Sequence, residues 1–304
     1  MKKFNLFLTT LFICGVFMVS CSSTQKDKVS SMEATEEGDE VAQEQVVFTE
    51  KKAYPSSDGK TTEYKYTFEG KVVATEVVDA KGQVLSFQGE LPNGLIKEFD
   101  SKGNIISEMN YNAGKLEGVI KTFYPDGQVA SVKNYKNGVL EGKHIEYYEN
   151  GNKKEDSNYK DGILEGTVKK YSMSGTLMSS AQYVDGQLEG LSKEYFVTGT
   201  PKMETEYYNG LKEGFCKEYF SNGILKTQYN YSQGKLEGDS QIYYDDGSIN
   251  RIEKYKNNKL HGDTKIYSNN NSEIPLYIDT YSNGRKTTRK AFSSKGEQIF
   301  KIQY

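Results

Sequence analysis

Two patterns of apolar residues divide the chain. The first is one unbroken run, Phe4 to Val19, behind Lys2 and Lys3. The second is periodic. Phe99, Phe123, Tyr147, Tyr171, Tyr195, Tyr219, Tyr243 and Tyr267 follow one another every 24 residues, and Tyr111, Tyr135, Tyr159, Tyr183, Tyr207, Tyr231 and Tyr255 keep the same interval in a second register. Leu116, Leu140, Leu164, Leu188, Leu236 and Leu260 mark a third. Glycine keeps the same beat: Gly94, Gly118, Gly142, Gly166, Gly190, Gly214, Gly238 and Gly262 are the reference positions, with further registers through Gly127 and Gly138. Self-similarity at a fixed period is the mark of a repeat array.

Each unit holds two segments of about seven residues, rich in Tyr, Thr, Ile and Val, separated by turn chemistry. One turn is of the Pro125-Asp126-Gly127 kind and the other of the Asn137-Gly138 or Asp161-Gly162 kind. Asn-Gly and Asp-Gly accept the positive φ of tight hairpins. The pattern therefore predicts an all-β fold, an elongated single-layer antiparallel meander of 24-residue hairpin repeats. Side chains that recur on every second strand are expected to stack at about 9.5 Å, twice the strand spacing. The glycine after Leu-Glu is expected to leave room for a ring lying over the backbone.

The domain plan follows from where this period holds. Residues 1–20 read as a signal peptide, 21–45 as a flexible acidic tether, 46–93 as degenerate N-terminal β repeats, 94–267 as the regular array, and 268–304 as a degenerate C-terminal repeat. The degenerate ends read as caps, since a terminal unit has one unsatisfied edge. Thr61–Phe68 and Val84–Phe87 look like strands within the first cap.

The N-terminal run has the charged and apolar regions of a secretory signal and is slightly shorter than the roughly 20 residues that span a bilayer. It ends in Met18-Val19-Ser20-Cys21, which resembles the bacterial lipoprotein signal, with Met18 in place of the commoner Leu. The resemblance implies that Cys21 is lipidated and becomes the mature N-terminus. Several acyl chains anchor durably where one alone is marginal. That places the protein in the cell envelope, on the extracytoplasmic side of a membrane, which is the outer one in a Gram-negative cell. The following segment, with Glu33, Glu36, Glu37, Asp39, Glu40 and Glu44, is too polar to order itself.

Composition narrows the function. The 304 residues include 24 Tyr, 29 Gly, two His, three Cys and no Trp, and the hydrophobic share of 36% is what a one-layer sheet without a covering layer requires. With 39 basic against 42 acidic residues, no basic field exists to attract nucleic acid. Two histidines at different places in their units support neither a catalytic triad nor a metal site, and no cofactor is implied. The chain reads as a non-enzyme. Glu117, Glu141, Glu165, Glu189, Glu213 and Glu237 recur, whereas a catalytic residue need occur once, so they read as structural, with Lys121, Lys169 and Lys217 as candidate partners. A row of calcium-binding carboxylates is the weaker alternative, because the calcium β-roll signature is missing. Cys14 leaves with the signal and Cys21 carries lipid, which leaves Cys216 in the mature chain, at a strand position read as half-buried and inert.

The string Tyr-x-x-Gly-x-Leu-Glu-Gly-x4-Tyr-[Tyr/Phe]-x2-Gly, running from about Gly94 to Asn270, resembles the second type of MORN-repeat variant and the YwqK-type antitoxin-like repeat family. The resemblance implies a single-layer hairpin sheet. It does not carry the lipid binding claimed for the first type, whose common Trp is absent here. Gly118, Gly142, Gly166, Gly190, Gly214 and Gly238, with Tyr135, Tyr159, Tyr183, Tyr207 and Tyr231, read as structural repeat positions. Tyr147, Tyr171, Tyr195, Tyr219 and Tyr243 are the candidate binding residues, either packing the sheet itself or offering platforms to a partner. Three functions compete: a scaffold for another envelope protein, a glycan or cell-wall binder, and an antitoxin, the last disfavoured by the export signal. The oligomeric state is left open.

Metabolic labelling with a palmitate analogue is expected to mark the wild-type protein and leave Cys21→Ala unlabelled. Equal labelling of the two would remove the lipid anchor.

Overall fold

The computed structural model describes residues 48–269 and 273–304, and among these every regular element is a strand of one long, mostly antiparallel open sheet. The signal peptide, Cys21 and the acidic tether lie outside the described residues. In the regular array each unit is a hairpin, as in Gly118–Phe123 paired with Val129–Lys136, which pairs in turn with Val139–Tyr147 of the next unit.

The second turn of each unit is where the units are fastened together. Both central residues have positive φ, 52° at Asn137 and 82° at Gly138, the two-residue geometry whose twist suits a hairpin. Their consecutive N–H groups both point back to the Leu-Glu step at the start of the same unit. That of Asn137 donates to the Glu117 carboxylate at 2.8 Å, and that of Gly138 donates to the carbonyl of Leu116 at 2.8 Å. The arrangement repeats every 24 residues, with donor and acceptor 20 residues apart, for Glu141 with Asp161 (2.8 Å), Glu165 with Asp185 (3.0 Å), Glu189 with Asn209 (2.8 Å), Glu213 with Gln233 (2.6 Å) and Glu237 with Asn257 (2.9 Å). Paired backbone N–H groups form a concavity suited to an anion. The recurring glutamates are therefore structural, as expected, but their partner is the turn backbone rather than a lysine. At the ends of the array other acceptors take the role: Asn93 Oδ1 receives the N–H of Ala113 at 2.7 Å, and His261 Nδ1 lies 3.5 Å from the N–H of Asn283.

The glycine after Leu-Glu serves a different purpose from the one its spacing suggested. At Gly118 φ is +74° and nothing lies within 4 Å of where a Cβ would sit, so no ring covers it. The same open space surrounds Gly142, Gly166 and Gly190, while Gly214, Gly238 and Gly262 face the polar side chains of Glu206, Asn230 and Lys254. Positive φ alone selects glycine here. It sits in a bulge: Leu140 is opposite Tyr135, and the next paired residue, His144, is opposite Lys133. Asn134 Nδ2 spans the irregularity by donating to the Lys143 carbonyl at 2.8 Å.

Alternation along the strands gives the sheet two unlike faces. One carries Leu116, Leu140 and their repeats, the tyrosines from Tyr111 to Tyr255, and a central column in which Ile96, Ile120, His144, Val168, Cys216, Ser240 and Thr264 are buried. Cys216 is deeper than a half-buried site and lies against Thr205, Sγ to Oγ1 3.3 Å. The other face carries lysines and carboxylates, with Lys97 to Glu108 at 3.2 Å and Lys193 to Glu204 at 3.1 Å, together with Tyr147, Tyr171, Tyr195, Tyr219 and Tyr243. The two tyrosine registers thus lie on opposite faces and not in one stack.

The strands before the regular array depart from a simple meander. Strands β1 (Thr49–Pro55), β2 (Thr61–Phe68), β3 (Lys71–Asp79) and β4 (Val84–Gly89) pair antiparallel in sequence, but β1 also pairs in parallel with β5 (Gly94–Phe99), the first strand of the array. The chain must return from β4 across three strands to reach β5. Gly89 starts the return with φ +90°, where a Cβ would run into the Val73 carbonyl and stand 2.8 Å from Ala74 Cα. Residues 90–93 then lay Leu91 against the buried cluster of Tyr66, Ala74 and Ile96. The Tyr66 hydroxyl donates to Glu76 at 2.8 Å. At the other end Asp279, 1% exposed, accepts two bonds from Arg289 and an ion pair from Lys286, each at 2.7 or 2.8 Å. Burial alone would raise its pKa; the two cations hold it below the ordinary value.

His144 is the misfit of the central column. Both ring nitrogens are buried without a hydrogen-bond partner, and the nearest carboxylate oxygen, on Glu146, is 3.8 Å away. Burial, then the charge of Lys133, lowers its pKa against the opposing pull of Glu146 and Glu155. The unfolded imidazole takes a proton near its ordinary value of about 6.5, and the folded one only at lower pH. Stability is then complete above about pH 6.5 and falls as the pH drops below it. His144→Val, matching Val168 in the next unit, is expected to raise the denaturation midpoint and flatten its decline between about pH 6.5 and 5; an unchanged slope would show that the imidazole is not responsible.

Loss of one turn acceptor, as in Glu165→Ala, is expected to cost about 1 kcal/mol in urea denaturation, with Glu165→Gln costing less because an acceptor oxygen remains. Identical midpoints for wild type and alanine variant would show that the turn stands without the carboxylate.

Candidate functional site

The periodic positions are occupied by the work of holding the sheet together. Tyr219 donates its hydroxyl to Glu204 at 2.9 Å, and burial followed by that hydrogen bond pushes its pKa up to about 12. The Tyr243 hydroxyl donates to Gln241, and Tyr147 and Tyr171 give up their carbonyls to the hydroxyls of Tyr124 (2.6 Å) and Tyr148 (2.8 Å) of the preceding unit. Tyr244 repeats this bond to the carbonyl of Tyr267 at 3.0 Å. Tyr124, Tyr148 and Tyr244 stand at the [Tyr/Phe] position of the repeat string, whose spacing does not show that the hydroxyl reaches the next unit. All five candidate binding tyrosines are half-buried on the charged face.

A second feature of that face is aperiodic. Beside the two-residue turns runs a stripe of exposed apolar side chains: Val119, Val139, Ile163, Val184, Leu191, Leu211 and Phe215, from 42% exposed at Val119 and Val184 to 53% at Leu211, with Tyr208 next to Leu211 across the turn. Each occupies one of three places in the unit that flank the turn or the bulge. Within the stretch the same places also hold Lys136, Lys143, Lys160, Thr167 and Gln187; before it they hold Leu95 and Lys115, and after it Lys235, Asp239, Lys256, Lys259 and Asp263. The hairpin geometry is the same at both kinds of unit, φ 52° and 82° at Asn137-Gly138 and 50° at Asn257, so the fold does not require apolar residues there. The contacts they make within the chain are made equally by lysine stems: Val139 Cγ1 would stand 3.4 Å from a Cβ at Gly162, and Lys115 Cβ 3.8 Å from one at Gly138.

Exposed apolar side chains grouped beside the turns make this strip the candidate docking surface of the sheet. No group of three or more His, Cys, Asp or Glu residues among the described residues could hold a metal ion, and no helix among them is long and apolar enough to cross a membrane.

Comparison with known proteins bears on the units directly. The MORN repeat variant model matches residues 92–113, 116–137, 140–161 and 236–257, in the phase of the 24-residue period, and the three units between them keep the same turns and pairings unmatched. No curated protein matches the chain. Among solved structures, one described as the eukaryotic initiation factor is 10% identical, covers 83% of this chain and 87% of its own, and has a TM-score of 0.21. A TcdB2-TccC3 structure is 11% identical with a TM-score of 0.17, and 80% of this chain matches 18% of that one. Likenesses so slight carry no argument about fold or function. What the comparisons show is a likeness of four hairpins of this chain to the MORN repeat variant.

Proposed function

We propose that the chain is a non-enzymatic scaffold of the bacterial cell envelope, anchored through lipid on Cys21, that binds another protein through the apolar stripe from Val119 to Phe215. The observation that carries this reading is the set of exposed Val, Ile, Leu and Phe side chains beside the turns and bulges from Val119 to Phe215, at places where the units after Phe215 carry Lys235, Asp239, Lys256, Lys259 and Asp263. A repeat surface offers an extended partner one contact per unit. The charged rim supplies register and the apolar centre supplies affinity, the division found in protein interfaces.

The glycan reading uses the column Tyr147, Tyr171, Tyr195, Tyr219 and Tyr243. Its rings are half-buried and the hydroxyls of Tyr219 and Tyr243 are already bonded within the sheet, which supports the stripe over the column. The antitoxin reading has no observation of its own in the fold.

Affinity capture from envelope extract is expected to retain a discrete protein on the wild-type sheet and to lose it about tenfold or more on Leu191→Lys with Leu211→Lys, at unchanged thermal stability. Retention of purified peptidoglycan, abolished by replacing Tyr171, Tyr195 and Tyr219 with Leu and untouched by the lysine pair, would turn the assignment to a glycan.

A further inference from the structure

The four residues that return the chain from β4 to β5 form one wall of a cavity. Glu90, Leu91, Pro92 and Asn93 cross the sheet as a strap, and with Val73, Phe87 and the turn Ala113-Gly114 they enclose about 810 Å³. That volume falls within the roughly 300–1,000 Å³ of small-ligand sites. The walls are mostly apolar: Val73, Leu91, Pro92 and the ring of Phe87, which packs edge-on against Tyr66 yet remains 43% exposed. An aromatic ring left this open beside three aliphatic side chains is surface that a ligand can cover.

Two polar groups in this lining are unpaired. In the later turns of the array the second N–H is bonded: Gly138 to the carbonyl of Leu116, Gly162 to that of Leu140, and so on to Gly284 with Leu260. At the first turn the corresponding donor is Gly114 N–H and the corresponding acceptor is the carbonyl of Pro92, but the two do not meet. Among the described residues Gly114 N–H has no partner. The strap is the cause, because Leu91-Pro92 crosses the sheet instead of forming the short strand that Lys115-Leu116 forms in the next unit. Only the first N–H of this turn is held, that of Ala113, and by the neutral Asn93 Oδ1 where later units use a glutamate. Beside Gly114 nothing stands within 4 Å of where its Cβ would lie. The second group is Glu90, an exposed carboxylate with neither a cation nor a hydrogen-bond donor on it among the described residues.

A free N–H donor, a free carboxylate and an apolar wall are complementary to a group that offers a carbonyl, a cation and an apolar side chain. The N-terminal residue of a peptide carries all three. A free amino acid carries them too, but it would bring its own carboxylate into a cavity that already holds Glu90, and such like-charge juxtaposition discriminates against it. We propose that this cavity binds the N-terminus of a peptide or protein whose first residue is apolar. Glu90 takes the ammonium group, Gly114 N–H donates to the first carbonyl, and Val73, Leu91 and Phe87 receive the side chain. The site shares no residue with the apolar stripe and stands whether or not the stripe binds a protein.

Calorimetric titration of the full chain with phenylalanyl-alanine amide, read beside amide NMR, tests the site. Binding is expected to shift the Gly114 amide resonance and to leave those of Gly138 and Gly162 in place. N-acetylation of the probe keeps its side chain and carbonyl and removes its charge; it is expected to weaken binding about tenfold, the loss of one charge-assisted hydrogen bond. Glu90→Gln, a change at an exposed position, is expected to weaken the amine probe by the same factor and to leave the acetylated probe and the thermal midpoint unchanged. Phe87→Ala is expected to weaken both probes. Absence of binding by the amine probe, equal affinity of the two probes for the wild type, or a Gly114 resonance that stays in place at saturation overturns the proposal. Tighter binding of free phenylalanine than of the dipeptide amide would overturn the peptide assignment and give the cavity to an amino acid.

Discussion

The structure depends on a pair of consecutive backbone N–H groups at each two-residue turn. A sheet one layer thick has no opposing layer to press its strands into place, and its apolar column is only one residue wide per hairpin. What fixes unit to unit is therefore polar and local to the turn. One N–H goes to the carboxylate that precedes the bulge glycine, the next to the carbonyl before it, as in Asn137 with Glu117 and Gly138 with Leu116. The bulge glycine makes this possible: its positive φ turns the chain so that the glutamate lies below the next turn while the strand beyond it resumes pairing. Leu, Glu and Gly in the motif are thus one device with three parts. The hydroxyls of Tyr124, Tyr148 and Tyr244 do the same at the opposite turns, each reaching the carbonyl of the following unit.

The periodic positions could be read from the sequence as to kind but not as to partner. Strands, turns and the phase of the hairpins followed from glycine and tyrosine spacing, because each is a local property of a few residues. The glutamates are legible as structural, but their partners are backbone groups 20 residues away, and spacing alone points instead to the lysines four residues along. The glycine was legible as necessary; that necessity comes from φ and not from a ring above it, a distinction spacing does not contain. Parity would have separated the two tyrosine columns, since one register is paired with the reference glycine and the other lies five residues beyond it. The parallel contact of β1 with β5 had no local signature at all, because it joins Thr49 to Ile96 across three intervening strands.

The apolar stripe escaped the sequence reading for a related reason. A search for period finds what every unit needs, and what every unit needs is structure. Val119, Ile163, Leu191 and Phe215 occupy places where apolar residues alternate with Lys143, Thr167, Gln187 and Asp239, so they vanish from a consensus. In a repeat protein the surface able to discriminate a partner lies in the positions where units differ.

The turn fastening also acts as a gauge of length. Its donor and acceptor are 20 residues apart within a 24-residue frame, so inserting or deleting one whole unit anywhere between Gly94 and Tyr267 leaves every remaining carboxylate facing its own turn. A change of any other size strands one carboxylate and one pair of N–H groups at the site of change. Chains of this design can lengthen or shorten only in whole steps, each moving the far end by two strand spacings, about 9.6 Å. Distance across the sheet is counted in units, and the counting mark is the glutamate.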